Sequence, residues 1–370
     1  MIIKQNASTI PRRGFAFGKG GVKRCMRFQI TRLSDLAKGP FDTVIDARSP
    51  AEFALDHIPG AINLPVLDDS ERAQVGTIYV QESPFKAKKV GAALVARNVA
   101  RHLEESLANK EGGWQPLVYC WRGGQRSGSF TTILGQVGWR AQVLNGGYQS
   151  YRRLVKEALY DAPFPSPVVL LDGNTGSAKT DILPRLAARG VQVIDLEGLA
   201  NHRGSLFGAR AGGQPSQKAF EGALAQIITE LDPARPVVVE AESSRVGARV
   251  VPPNLWAAMK AAPRIEIQAP LEARARYLVA AYGDVVEDKA RLADTLQRLG
   301  RYQSGETIKR WQALAVAGEL ETLASELMVQ HYDTRYSKAR AARQDITPLV
   351  VEALEPQNLD EIAACIAALI

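Results

Sequence analysis

The chain is poor in thiol: Cys25, Cys120 and Cys365 are its three cysteines in 370 residues. Their number and scatter exclude a disulfide framework and a cysteine-based zinc site. Also missing is any apolar run near the roughly 20 residues that a bilayer span needs, so no membrane segment is expected. Positive charges near the N-terminus lead into no apolar stretch and cleavage site, so a secretory leader is not expected either. The expected location is a reducing cytoplasm, where a cysteine can remain a usable nucleophile. No internal repeat is evident.

What is present fits a globular protein of two domains, each able to bury its own core: 46% of residues are apolar and 23% charged. A net charge of +7 and a pI near 9.3 favour polyanionic partners without selecting one. Residues 1–25 carry Arg12, Arg13, Lys19, Lys23 and Arg24 but no apolar periodicity. They are expected to form a flexible extension, or to lie upstream of a natural start at Met26. Residues 26–155 alternate short strands and helices. Strands are expected at 43–45, near 62–64, at 117–119 and at 141–144. The spacing of Val90, Leu94, Val95, Val99 and Leu103 predicts a helix over 89–107, and a second helix is expected over 127–137. A linker is expected over 156–166, where Pro163 and Pro165, with Pro167 just beyond, block helix and ladder hydrogen bonding. A second α/β unit follows over 167–270, with strands at 168–172, 191–196, 237–241 and 265–268 forming a parallel sheet covered on both faces. From Leu271 to the C-terminus the composition predicts helix.

Two anion-cradling loops of different chemistry stand out, each after a short apolar run and before a helix-forming segment. The first runs from Cys120 to Arg126. A thiolate needs positive potential and hydrogen-bond donors; Arg122 and Arg126 supply charge, Gly123 and Gly124 let the loop curl into a nest of N–H groups, and a helix start near Ser127 adds its positive end. The Cys-x5-Arg spacing is shared with cysteine-dependent phosphatases, so the loop alone is ambiguous. The second loop is Gly173-Asn174-Thr175-Gly176-Ser177-Ala178-Lys179-Thr180. Gly173, Gly176 and Ser177 belong to its phosphate-binding turn, Lys179 supplies charge, and Thr180 offers a hydroxyl to a metal ion. It lacks the usual glycine before the lysine. The Ala178 methyl would be tolerated if that residue were already helical, and would otherwise narrow the phosphate site. Glu240 and Glu242, at the end of the apolar run Val237-Val238-Val239, are candidate supports for Mg²⁺ or ordinary acidic residues at a strand end. Ser243, Ser244 and Arg245 would extend the polar site.

The segments Asp46-Ala47-Arg48-Ser49-Pro50-Ala51-Glu52-Phe53, His57-Ile58-Pro59-Gly60-Ala61-Ile62-Asn63 and Leu144-Asn145-Gly146-Gly147-Tyr148 resemble the rhodanese domain in order and spacing. Cys120 falls at that family's chalcogen-carrying position. Asp46 and Arg48 are expected to brace the loop, and His57 to fix a turn rather than catalyse. Residues 195–208 and 214–221 place many polar side chains among glycines, which packing does not explain. Together with both loops they closely resemble the tRNA 2-selenouridine synthase family, from Met26 through the C-terminal helices. The implied fold is a rhodanese-like α/β domain, then a P-loop NTPase-like parallel-sheet domain with a helical C-terminal region.

The resemblance implies a two-step transferase acting at the wobble position in the anticodon region of tRNA. Geranyl diphosphate would alkylate the sulfur of 2-thiouridine, and selenophosphate would then supply selenium as the geranylthio group leaves. Cys120, with Arg122 and Arg126, would handle selenium. The phosphate loop, with Mg²⁺ held through Thr180 and Glu240 or Glu242, would handle the diphosphate. His202, Arg203, Gln217 and Lys218 are candidates for substrate phosphate or anticodon contacts, or surface residues. The basic residues Arg335, Lys338, Arg340 and Arg343 would follow the tRNA backbone or form a solvated helix face. A selenophosphate-supplying enzyme is a further candidate partner. Two other readings compete: a rhodanese-type sulfurtransferase fused to an ATP-dependent kinase or NTPase, and a non-catalytic tRNA-binding chalcogen carrier.

Overall fold

The computed structural model describes residues 26–334 and 345–370. The N-terminal extension and the basic residues Arg335, Lys338, Arg340 and Arg343 lie outside the described residues. Two five-stranded parallel sheets organise the rest. The first holds β1 (Met26–Phe28), β2 (Thr43–Asp46), β3 (Ile62–Asn63), β4 (Pro116–Tyr119) and β5 (Gln142–Leu144) in the order β1-β5-β4-β2-β3. In the second are β6 (Val168–Gly173), β7 (Gln192–Ile194), β8 (Val237–Glu240), β11 (Arg264–Gln268) and β12 (Ile346–Val350), ordered β12-β11-β6-β8-β7. Between β8 and β11 a small antiparallel pair, β9 (Arg245–Val246) and β10 (Arg249–Val250), projects from the second sheet's loops. In each sheet the loop singled out by sequence follows the middle strand, β4 or β6.

The strands are short because both faces of each sheet are covered, so a few consecutive apolar residues suffice. Alternation assigns each residue to a layer. Leu117 and Tyr119 face one core with Leu170, Phe220, Leu224 and Val239, while Val118 faces another with Val95, Val99, Phe130 and Leu134. The first of these cores is common to both domains. It is filled from Gly147–Lys156, whose helix continues as a π-turn to Asp161, and from the helix Gln217–Glu230. Burying side chains such as Phe220 and Leu224 in that layer contributes about 1.5–3 kcal/mol each, which joins the two domains through hydrophobic contact.

The helix expected over 89–107 begins earlier, at Pro84, and ends at Glu104. Ser83 caps it by accepting from the Phe85 and Lys86 amides, and Val95 and Val99 lie on its buried face. The expectation of helix after Leu271 needs one correction. Ile346–Val350 forms an edge strand paired in parallel with β11. Pro348 obscures it in the sequence, yet a proline is tolerated at an edge, where no partner needs its N–H. The other described elements of this region are helical: those from Gly283 to Leu327 gather around the fully buried Trp311, whereas the last helix, Pro356–Leu369, packs on the second sheet beside Ile182 and Ile265.

Candidate active site

The thiol loop is built around the end of β4. Cys120 is 3% exposed, and the Ser127 hydroxyl donates to its Sγ over 3.1 Å from the first turn of the helix Gln125–Val137. Backbone bonds from Tyr148 N to Cys120 O (2.8 Å) and from Gln149 N to Trp121 O (3.1 Å) clamp the loop to the next helix. This approach requires Gly147, because a Cβ there would lie 2.2 Å from Cys120 O, and its φ is +59°. Asp46 and Arg48 form the brace. They are a fully buried ion pair at 2.6 Å, and the Arg48 guanidinium also donates to Asp56 O and lies 4.1 Å from the Tyr148 ring centre. Burial pushes the Asp56 carboxyl above its ordinary pKa, and the Tyr148 hydroxyl donates to it. His57 stacks on Phe53 and bonds its carbonyl through Nδ1, so it holds the turn.

The two loop arginines have different situations. Arg126 is engaged by Glu52 at 2.7 Å, and Glu52 also meets Arg72 at 3.1 Å. Arg126 is therefore held in place by a carboxylate that it shares with Arg72, and the pair of guanidinium groups keeps a net positive charge beside the loop. Arg122 is exposed and has no ion pair among the described residues, so the loop's available side-chain cation is Arg122.

The phosphate loop follows β6 and opens into a cavity of about 840 Å³. Gly173, Gly176 and Ser177 shape the turn, and Lys179 begins the helix Lys179–Ala188 with its Nζ 3.0 Å from Gly173 O. Gly176 has φ +83°, and a Cβ there would meet Arg274 O at 2.8 Å. Arg274 explains that crowding. It is buried, donates to Thr175 O at 3.1 Å and pairs with Asp333 at 2.8 Å, tying the loop to the C-terminal helices.

Ala178 is not helical. Its φ of +59° and ψ of +20° are left-handed, and it is 3% exposed in the core with Leu171 and Ile182. A left-handed alanine costs about 1–2 kcal/mol. Glycine would relieve that but would lose a buried methyl worth about 0.8 kcal/mol and about 0.4–1 kcal/mol through the unfolded chain. Ala178→Gly is therefore expected to change the unfolding free energy by less than about 1 kcal/mol in a denaturant titration. A loss above about 2 kcal/mol would mean the methyl packs more tightly than this balance allows.

Carboxylates complete the cavity wall, but not the pair expected. Glu240 is fully buried and its Oε1 accepts from the Glu197 amide at 2.5 Å. Burial and the neighbouring Glu197 push its pKa well up. It supports the backbone behind the site and is not among the cavity-lining residues. Glu197 and Glu242 do line the cavity, and the Thr180 hydroxyl donates to Glu197 Oε2 at 3.0 Å. Burial, then Glu197, pushes the Glu242 carboxyl up to about 8.

A raised carboxyl pKa has a definite sign. The unfolded chain loses this proton near pH 4.5 while the folded chain keeps it to about 8, so stability falls as pH rises through that window. Glu242→Gln cannot ionise. In metal-free buffer it should match the parent near pH 5 and exceed it at pH 9 by on the order of 1 kcal/mol or more. Parallel melting curves from pH 5 to 9 would contradict the shift.

Comparison with known proteins agrees with this two-loop arrangement. The family model described as the tRNA 2-selenouridine synthase AAA domain matches residues 166–354, and the rhodanese-like domain model matches residues 30–154. The chain is 34% identical to the tRNA 2-selenouridine synthase of Psychromonas ingrahamii, over 80% of this chain and 78% of that one. It is 32% identical to the protein of that name from Shewanella halifaxensis, over 76% of each chain. This chain belongs to the tRNA 2-selenouridine synthase family. It is accordingly an enzyme of the transferase class, with a rhodanese domain followed by a P-loop domain.

In this family member the other expected contacts divide. His202 and Arg203 are on the wall of the phosphate cavity. Burial and Arg210 lower the His202 pKa, while Arg203 pairs with Asp284 at 2.9 Å and lies over the Tyr282 ring. Gln217 and Lys218 do not line the cavity. The Gln217 amide bonds Glu221 and both backbone groups of Val250, and Lys218 is exposed. Gln217 is occupied in structure because it opens the helix that joins the domains. The residues sequence reasoning missed are Glu197, Arg210 and Arg274. Glu197 stood within the polar segment singled out above, but nothing local marked it as the partner of Thr180.

Proposed function

We propose that this synthase converts 2-thiouridine at the tRNA wobble position to 2-selenouridine through an S-geranylated intermediate, with geranyl diphosphate and selenophosphate as co-substrates, in the cytoplasm. The observation that carries the proposal is the pairing of a buried, hydroxyl-supported thiol at one sheet's middle strand with a phosphate cradle at the other's. Among the described residues no helix is long and apolar enough to cross a membrane.

In the first step the thiocarbonyl sulfur attacks C1 of geranyl diphosphate. A C–S bond forms, the C–O bond breaks, inorganic diphosphate leaves with the electron pair, and the N3 proton of the base is released to solvent. Lys179 and the loop amides stabilise the charge gathering on the leaving group, and much of the remaining acceleration comes from positioning, because the nucleophile is the substrate's own sulfur. Thr180, Glu197 and Glu242 form an oxygen donor set suited to Mg²⁺. Those three residues would hold the ion, with Glu240 behind them. When bound, Mg²⁺ supplies further charge to the diphosphate oxygens.

In the second step the selenium of selenophosphate adds at C2 of the base and the C–S bond breaks, the geranyl thiolate leaving with the donor's proton as the thiol. Water then cleaves the Se–P bond, releasing inorganic phosphate and leaving 2-selenouridine. Cys120 handles selenium, with Ser127 holding the sulfur and Arg122 meeting the anionic donor. A kinase or NTPase reading predicts ATP turnover that depends on Lys179 and no need for geranyl diphosphate. Omitting geranyl diphosphate from a reaction with thiolated tRNA and selenophosphate tests this: selenouridine should then fail to form. Undiminished selenouridine would overturn the geranylated intermediate. Electrostatic contact with tRNA also predicts binding that weakens steeply with salt in a filter-binding titration; salt-insensitive binding would argue against backbone contacts.

A further inference from the structure

Beside the phosphate cavity lies a second, smaller recess of about 70 Å³. The two share walls: Thr175 of the phosphate loop, Ser205, Leu278, Tyr282 and Tyr332 line both. Beyond those shared residues the recess is wholly apolar, with Phe207, Val286, Leu292, Leu320, Leu323 and Leu327 among its walls. Leu292, Leu323 and Leu327 belong to the core of the C-terminal helices, whereas Phe207, Val286 and Leu320 are half-buried. Apolar side chains left half-covered at an opening, next to a cradle for phosphates, suit a ligand that is anionic at one end and hydrocarbon at the other. A nucleotide would place a ribose and a polar base there, and the recess offers such groups few hydrogen-bond partners.

We propose that this recess is the hydrocarbon subsite of the synthase, taking the chain of a short prenyl diphosphate whose diphosphate rests on the phosphate loop. Resting on the function proposed above, the assignment adds the place of the chain and the residues that recognise it. The head is held at Lys179, the chain passes along Leu278 and Tyr282, and its end is covered by Leu320, Val286 and Phe207. The helices that form the recess are the same ones that Arg274 ties to the loop through Thr175 and Asp333. Head and tail sites are thereby held at a fixed spacing. Discrimination between prenyl diphosphates and nucleotides then resides in the C-terminal helices.

The test measures affinity for inorganic diphosphate and for geranyl diphosphate by calorimetry on the full chain, without tRNA. Burial of several methylene groups is expected to make geranyl diphosphate bind at least about tenfold more tightly than inorganic diphosphate. Leu320→Trp and Val286→Trp each fill the recess from a different side. Each is expected to remove most of that advantage while changing the inorganic diphosphate affinity less than about twofold, a value that also certifies a folded phosphate loop. Equal affinity of the parent for the two ligands would overturn the recess assignment and leave the phosphate loop standing. So would two tryptophan variants that fold and bind geranyl diphosphate as the parent does. Failure of the parent to bind either diphosphate would instead overturn the reading of the loop on which the assignment rests.

Discussion

Replacing Lys179 by alanine is expected to lower the rate of tRNA S-geranylation by about 10²–10³-fold. The ammonium sits at the first residue of the helix Lys179–Ala188, where the loop amides and the helix end already favour negative charge. In the absence of ligand its Nζ bonds Gly173 O, a neutral acceptor at the rim of the same loop. It makes no salt bridge among the described residues, but its charge acts on Glu197 and Glu242 across the cavity, and a bound diphosphate would take their place as its main anionic partner. That charge is worth most as the C–O bond breaks and the leaving oxygen becomes anionic. A mainly rate-limiting effect on the chemical step is therefore expected, with a smaller weakening of geranyl diphosphate binding. Single-turnover geranylation at saturating geranyl diphosphate separates the two. Wild-type rates in the variant would remove Lys179 from the chemistry.

Cys120→Ala is expected to reduce selenium incorporation by about 10³-fold or more, with S-geranylated tRNA accumulating. The thiol is buried at the end of β4 among fixed partners: the Ser127 hydroxyl at 3.1 Å, and a loop clamped through Tyr148 N and Gln149 N. With Arg126 held by Glu52, anion recognition falls to Arg122 and the loop's backbone N–H groups. Arg122→Ala is thus the arginine change expected to weaken use of the selenium donor, whereas Arg126→Ala acts on loop stability through Glu52. Loss of geranylation in Cys120→Ala, with selenation spared, would reverse the assignment of the two loops.

Both loops were legible in the sequence because each is a contiguous motif, set by its own glycines, strand and helix. The segments around Cys120 that resemble a rhodanese domain were equally local. What was not legible depends on contacts between distant residues. Arg274 reaches Thr175 across 99 positions, and Glu197 acquires its role from Thr180 and Glu240. Glu240 looked like a metal support because it ends an apolar strand, yet that same position buries it behind the site. Gln217 looked like a substrate contact because it is polar among glycines, but its amide closes a structural hydrogen-bond set with Glu221 and Val250. Strand β12 was hidden by Pro348 and by the helices before it, and it forms because β11 offers an unpaired edge. Ala178 showed the opposite limit: the missing glycine was visible, but the left-handed backbone that makes it matter was not.

The decisive measurement is identification by mass of the nucleosides formed when the protein acts on 2-thiouridine-containing tRNA with geranyl diphosphate and selenophosphate. The parent should yield 2-selenouridine, Cys120→Ala should stop at S-geranyl-2-thiouridine, and Lys179→Ala should leave 2-thiouridine largely unchanged. Unmodified 2-thiouridine with the parent protein, accompanied by Lys179-dependent ATP hydrolysis, would contradict the assignment of selenium to one loop and the prenyl diphosphate to the other.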